Sequence, residues 1–382
     1  MTPTVAPKSI EELASQVAEA TEPFRLQGLG TKPTLGNPVT AHQTLSLAKF
    51  AGVASYEPEE LILEAGAATK LSDIEKLLLQ HGQMLAFEPP DWSHLFGTSS
   101  SGSLGGVVAA GLSGPRRIKC GAARDHVLGF TGVTGAGDII RAGARVVKNV
   151  TGYDLAKLVT GSHGSLVAMT AIIVKVLPRP ETEETLVIRG LEDAVAVRVM
   201  SQAMQSSAEV SAAAHVPGEG TYLRLDGIAP SIAYRRDQLA KRLGHDAGIM
   251  NEKESRKLWA SVRDAKPFAK LGTHSLWRIS VAPSEGAAVA DRILAKLNAR
   301  HFYDWAGGLI WLAVEGESDG GASVIRSAFT AGHATLIRAT MDIRRTVSAF
   351  QPQAPALSAL SRRVRASFDP RAMLNPGIMV KG

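Results

Sequence analysis

The chain has 382 residues, 45% of them hydrophobic and 20% charged, with a net charge of +6 at neutral pH. That make-up has room for two folded domains and excludes a disordered or fibrous chain. Its single cysteine, Cys120, excludes an internal disulfide, a CxxC zinc site and a cysteine-held iron–sulfur cluster in this chain, and fits a reducing cytoplasm.

In chain order, Ser9-Ile10-Glu11-Glu12 reads as a capping box, with Ile10, Leu13 and Val17 at helical spacing behind it. A short strand over 24–27 runs into Gly28-Leu29-Gly30-Thr31-Lys32-Pro33, and 61–64 is a second strand. Residues 72–75 open a helix that Gly82 closes, and 85–88 is strand-like up to Pro89-Pro90. Stretches 126–133 and 139–147 flank Thr134-Gly135-Ala136-Gly137-Asp138, a hairpin turn. A short helix over 154–159 and a buried strand over 167–176 follow, and Pro178, Pro180 and an acidic run mark a boundary. Beyond it, strands at 186–188, 222–225, 277–281 and 309–314 alternate with alanine-rich helices such as 194–204 and 286–297, a separate α+β domain. The tail, 368–377, holds two prolines and a glycine and reads as an ordered turn. The longest nearly apolar run, 166–174, is about half of what a membrane-spanning helix needs. Arginine doublets such as Arg116-Arg117 are dispersed, so a nucleic-acid track is not expected.

Chemistry concentrates in three small-residue loops, each beside a strand. Backbone amides of Gly28 to Lys32 suit a pyrophosphate, although Pro33 and the lack of a following long helix break the dinucleotide fingerprint; an ordinary turn is the alternative. Ser103-Leu104-Gly105-Gly106 and Gly161-Ser162-His163-Gly164-Ser165-Leu166 add the second and third loops, and between them lies Val146-Val147-Lys148-Asn149-Val150-Thr151-Gly152-Tyr153-Asp154. Glycine at this density lets backbone approach a large flat ligand bearing phosphates. His163, wedged between glycines, reads as a packing residue rather than a base, and no histidines show metal spacing. Trp277-Arg278 and the stretch from Trp305 to Trp311 read as core, with a ligand or interface role as the alternative.

Taken together these residues resemble the PCMH-type FAD-binding domain of the vanillyl-alcohol oxidase superfamily, and within it the FAD-binding E-subunit family of bacterial glycolate oxidase. The strings that carry the likeness are Gly111-Leu112-Ser113-Gly114-Pro115-Arg116-Arg117, Arg124-Asp125-His126-Val127-Leu128-Gly129, Lys148 to Asp154, Lys175-Val176-Leu177-Pro178-Arg179-Pro180 and the ending Asp369-Pro370-Arg371-Ala372-Met373-Leu374-Asn375-Pro376-Gly377. The resemblance implies an α+β fold with a PCMH-type FAD-binding domain over 1–180, a smaller α+β cap domain over 181–365, and a return segment over 366–382. It implies that Gly28, Leu29, Gly30, Thr31 and Lys32 wrap the FAD pyrophosphate and that Ser103, Leu104, Gly105 and Gly106 approach it and the flavin. Asp125 would anchor the loop before the hairpin. Gly164, Ser165, Leu166 and Val167, with Thr170 and Ile172, would hold the adenosine half, and Asn375 would lie near the flavin edge.

Leu29 and Thr31 stand where covalent relatives carry His or Cys, so FAD is expected to be non-covalent. The histidine motifs of the related catalytic subunit are absent, so no catalytic residue is assigned. The resemblance implies oxidation of glycolate, a 2-hydroxy acid, to glyoxylate, together with a catalytic flavoprotein subunit and an iron–sulfur subunit. The alternatives are a stand-alone FAD-dependent 2-hydroxy-acid dehydrogenase and a scaffold subunit without catalysis. The expected location is cytoplasmic, peripheral to the inner membrane through partner subunits.

Overall fold

The computed structural model describes residues 3–144 and 153–380, so 146–152 of the nine-residue string above lies outside the described residues. The chain forms two units, one of Met1–Ser113, Gly121–Pro178 and Pro352–Gly382, the other of Gly114–Cys120 and Arg179–Gln351. The boundaries expected at 180 and 365 differ from these in two places: Gly114–Cys120 falls in the second unit and the helix Pro355–Phe368 in the first.

In the first unit, the Ser9 hydroxyl accepts from the Glu12 amide at 3.2 Å and opens the helix Ile10–Glu19. Its buried Leu13 and Val17 pack with Phe24 and Leu45 of a parallel sheet ordered Thr4–Val5, Gln43–Ser46, Phe24–Gln27. Met373 and Leu374, from the far end of the chain, complete that cluster. An antiparallel sheet runs Val53–Glu57, Ile62–Gly66, Val167–Lys175, Val127–Thr134, Ile139–Gly143. Val167–Lys175 is its central strand and buries most of its residues, hence the near-continuous apolar run. The hairpin turn is closed by Thr134, whose hydroxyl accepts from the Ala136 and Asp138 amides. The strand expected at 85–88 lies earlier, at Gln83–Met84, paired with Leu177–Pro178. Residues 85–88 instead make a turn, with the Glu88 amide on the Leu85 carbonyl and Glu88 at φ 49°.

The second unit is an antiparallel sheet ordered Ala247–Met250, Thr182–Ile188, Gly220–Gly227, Ala212–Val216, Ala299–Asp304, Leu309–Val314, Ser275–Ser280, His333–Arg338. The helices Asp193–Met204, Ala229–Leu243, Gly286–Leu294 and Ala322–Ser327 cover one face, where Met200, Ile232, Ile293 and Ile325 cluster with Leu223, Trp277, Ile310 and Leu312. Each such side chain contributes about 1.5–3 kcal/mol by leaving water. Asp193, at the start of its helix, receives His301 Nε2 at 2.5 Å and the Tyr303 hydroxyl at 2.8 Å on one oxygen, and His215 Nε2 lies 3.3 Å from the other. Burial opposes its ionisation, yet hydrogen bonds from His215, His301 and Tyr303 hold the carboxyl far below its usual range. Among the described residues no three His, Cys, Asp or Glu side chains are grouped to hold a metal.

Candidate functional site

The strand Phe24–Gln27 delivers the first glycine loop at its C-terminal end. Gly30 turns through φ 67°, a left-handed conformation that a side chain resists. The Arg25 guanidinium donates to the Pro33 carbonyl at 2.7 Å and the Thr98 hydroxyl to the Thr31 carbonyl at 3.1 Å, so the loop is braced through its carbonyls. Among the described residues no turn or loop backbone bond engages the amides of 28–32, which makes them candidate donors to an anion.

The second loop offers shape instead of donors. Ser103 caps the short helix Leu104–Ala110 by accepting from the Gly106 amide at 3.2 Å, and the Leu104 and Gly105 amides go to the Thr69 and Ala67 carbonyls at 3.0 and 2.7 Å. A Cβ on Gly106 would meet only the Ser103 hydroxyl, at 3.4 Å, and one on Gly28 the same oxygen at 3.3 Å. On Gly105 it would strike the Ala67 Cβ and carbonyl oxygen, both at 2.7 Å. Gly28 and Gly106 therefore leave room for a ligand, whereas Gly105 leaves room for the protein itself.

The third loop is stitched to the second. Asp154 accepts from the Lys157 amide at 3.1 Å and starts the helix Leu155–Val159. The chain then returns so that the Gly161 and His163 amides donate to the Val108 and Ala109 carbonyls at 3.0 and 2.8 Å. Asn375 ties this loop to the first: its Oδ1 accepts from the Leu26 amide at 2.8 Å and its Nδ2 donates to the His163 carbonyl at 2.9 Å. The Asn375 backbone sits at φ 48° and its amide donates to the Phe24 carbonyl at 3.0 Å. Its position is set by Asp369, whose carboxylate accepts from the Met373 and Leu374 amides at 2.8 Å each.

Two adjoining cavities that share Gly28, Ser103, Gly106, His163 and Asn375 form the cleft, lined by Gly28, Leu29, Gly30, Thr31, Lys32, Ser103, Gly105, Gly106, Gly164, Val167 and Asn375. Six residues named from the sequence do not line it: Leu104, Asp125, Ser165, Leu166, Thr170 and Ile172. Leu104 and Ile172 are wholly buried, Ile172 between Ala65 and Phe130 in the sheet. The Ser165 amide and hydroxyl turn back to the Ser162 carbonyl, and Leu166 packs in the core. Asp125 accepts from the Ala122 amide at 2.8 Å, which holds its own loop. Thr170 lines a separate groove with Phe50 and Phe130, and its carbonyl takes the Ala67 amide at 2.8 Å.

The cleft also gathers residues that sequence reasoning did not assign to it: Arg25, Gln27, Ala109, His163 and Met169. Burial lowers the Lys32 ammonium to about 8, opposed by the charge of Asp91. Burial also pushes the His163 imidazole down to about 4, so it is neutral at physiological pH. A cation that is easily discharged, a run of amides and two open glycines together suit an anionic ligand with a flat body.

A family model described as FAD binding domain matches residues 2–143. The chain is 34% identical over 372 residues to the glycolate oxidase subunit GlcE of Escherichia coli (strain K12), an alignment covering 97% of this chain and 96% of that one. It is 43% identical over 100 residues to the glycolate oxidase subunit GlcD of Bacillus subtilis (strain 168), covering 26% of this chain and 20% of the relative. Among solved structures, p-cresol methylhydroxylase with substrate bound superposes with a TM-score of 0.72 at 14% identity, covering 99% of this chain and 88% of that chain. An alkyldihydroxyacetonephosphate synthase gives 0.67 at 14% identity, covering 98% and 75%. At such identities these structures speak for the PCMH-type fold alone.

Proposed function

Because the chain belongs to the family of the glycolate oxidase subunit GlcE, we propose that it is the FAD-binding subunit of a complex oxidising glycolate, a small 2-hydroxy acid, to glyoxylate. That it is an FAD-linked oxidoreductase follows from its family; the substrate and the complex are the proposal. The observation that carries it is the cleft: amides of 28–32 and Lys32 match a pyrophosphate, and Gly28 and Gly106 leave space that a Cβ would fill. When bound, FAD supplies the acceptor for the two electrons released as the hydroxy acid loses its C–H and O–H hydrogens.

In this reading, Gly28 to Lys32 hold the pyrophosphate, and Ser103 and Gly106 form the opposite wall. Gly164 and Val167 continue the contact surface toward Met169. Asn375 acts by fixing the first and third loops in register, since both its side-chain bonds go to backbone. With Leu29 and Thr31 in the first loop, the cofactor is held without a covalent bond. The partners are a catalytic flavoprotein subunit and an iron–sulfur subunit, the single cysteine leaving the cluster to another chain. Among the described residues no helix is long and apolar enough to cross a membrane. A cytoplasmic protein that reaches the inner membrane through its partners is the location we propose.

The test is a visible spectrum of the purified chain before and after anaerobic glycolate. Flavin bands that persist until the partner subunits are added support the proposal. Bleaching by the chain alone would make it a stand-alone dehydrogenase. No flavin after reconstitution with FAD would leave only a scaffold.

A further inference from the structure

The helix Pro355–Phe368 opens on a proline, whose missing N–H costs nothing at a first position. Leu357, Leu360, Val364 and Phe368 recur every three or four residues and so share one side of it. Such a stripe normally hides against a neighbour, yet no residue of this helix is buried. Leu357 is 51% exposed and Leu360 53%, while Val364 and Phe368 are half-buried. The carboxyl end of the helix is fixed: the Phe368 carbonyl takes the Gly135 amide at 2.9 Å, and Asp369 just beyond holds the Met373 and Leu374 amides. The leucines of the amino-terminal half therefore stand uncovered on a fixed base.

At 3.6 residues per turn, Arg363 falls on one flank of the stripe and Arg365 and Arg362 on the other. The helix contains no acidic residue, and among the described residues these three guanidiniums make no hydrogen bond or ion pair. Leu357, Leu360 and Val364 stand at i, i+3 and i+7, the anchor pattern of a helix laid into an apolar groove. Arginines on both flanks select a groove with carboxylates on its rim. A lipid surface suits the helix less well. Two leucine side chains carry fewer apolar carbons than one myristoyl chain, which alone binds only marginally, and three arginines fall short of the clusters of about four to eight that anionic lipids recruit. A second copy suits it less well too, since two such helices would bring arginines together with no carboxylate between them.

We propose that the helix Pro355–Phe368 is a docking element for a protein partner that offers an apolar groove rimmed by carboxylates. That this partner is a subunit of the glycolate-oxidising complex rests on the function proposed above; the groove and its charge follow from the helix itself.

The test is sedimentation of the full-length, FAD-loaded chain with the catalytic flavoprotein and iron–sulfur subunits, for wild type, L357Q/L360Q and R362E/R363E. Each variant should bind its partner about tenfold or more weakly, at unchanged flavin content and melting temperature. Added salt should weaken the wild-type complex, and R362E/R363E should flatten that dependence. Glutamine keeps helix propensity, and the arginine variant decides the matter if the leucine variant does not fold. Equal affinity of wild type and R362E/R363E overturns the docking element and leaves the proposed function standing. Helix-dependent assembly of a complex that does not oxidise glycolate keeps the element and rejects that function. Wild type that binds neither subunit rejects both. Helix-dependent self-association, or helix-dependent binding to phosphatidylglycerol vesicles in place of the subunits, overturns the acidic protein groove.

Discussion

Gly105 and Gly106 are adjacent and look alike on paper, yet the structure requires glycine at them for opposite reasons. A side chain at 106 enters the cleft, and one at 105 enters Ala67. Gly106→Val should therefore abolish FAD retention at a nearly unchanged melting temperature. Gly105→Ala should cost about 1–3 kcal/mol of stability through overpacking. Flavin content and thermal melting of the two variants separate the effects; full flavin in Gly106→Val would remove that residue from the site. Gly30 is a poorer probe, since φ 67° penalises any side chain there whatever the ligand does. Lys32 gives a pH signature. Its ammonium, lowered to about 8 by burial in the free protein, should rise when a pyrophosphate binds beside it. Binding then takes up a proton above that value, so FAD affinity should be flat below pH 8 and weaken as pH climbs past it. Lys32→Gln should bind more weakly and without that slope. Dissociation constants from flavin fluorescence between pH 7 and 9 check this, and equal slopes would reject the assignment.

At the scale of elements, the cleft is built from a strand end, a helix start and a loop, and the C-terminal return holds them together. Asn375 gives one end of its amide to the strand that delivers the first glycine loop and the other to the third loop. Asn375→Ala leaves the Leu26 amide and the His163 carbonyl without that partner, at about 1–3 kcal/mol for each buried group. The expected result is a lower denaturant midpoint together with weaker FAD binding. A variant of lower stability but unaltered FAD affinity would show that the two loops keep their register without it. Three of these features were legible in the sequence: the Ser9 cap, the apolar run of the central strand and the turn-forming tail. Residues 85–88 read as a strand but form a turn, because buried Leu85, Ala86 and Phe87 fill it just before Pro89-Pro90, where alternation carries no information.

Across the whole molecule, the fold and cofactor class were legible because glycine loops and family strings are local in sequence. What was hidden depends on distance along the chain. His301 and Tyr303 meet Asp193 across 108 and 110 residues, and no spacing rule links them. Likewise Leu104 and Ile172 lie inside glycine-rich or strand motifs that do reach the cleft, but their own side chains face the core. The bond from Leu26 to Asn375 spans 349 residues and has a consequence in time. A ribosome must translate the entire second unit before the brace on the first glycine loop exists. Flavin loading is then a late event in biogenesis, and nascent chains stalled before residue 375 should emerge colourless however well their amino-terminal sheets have formed.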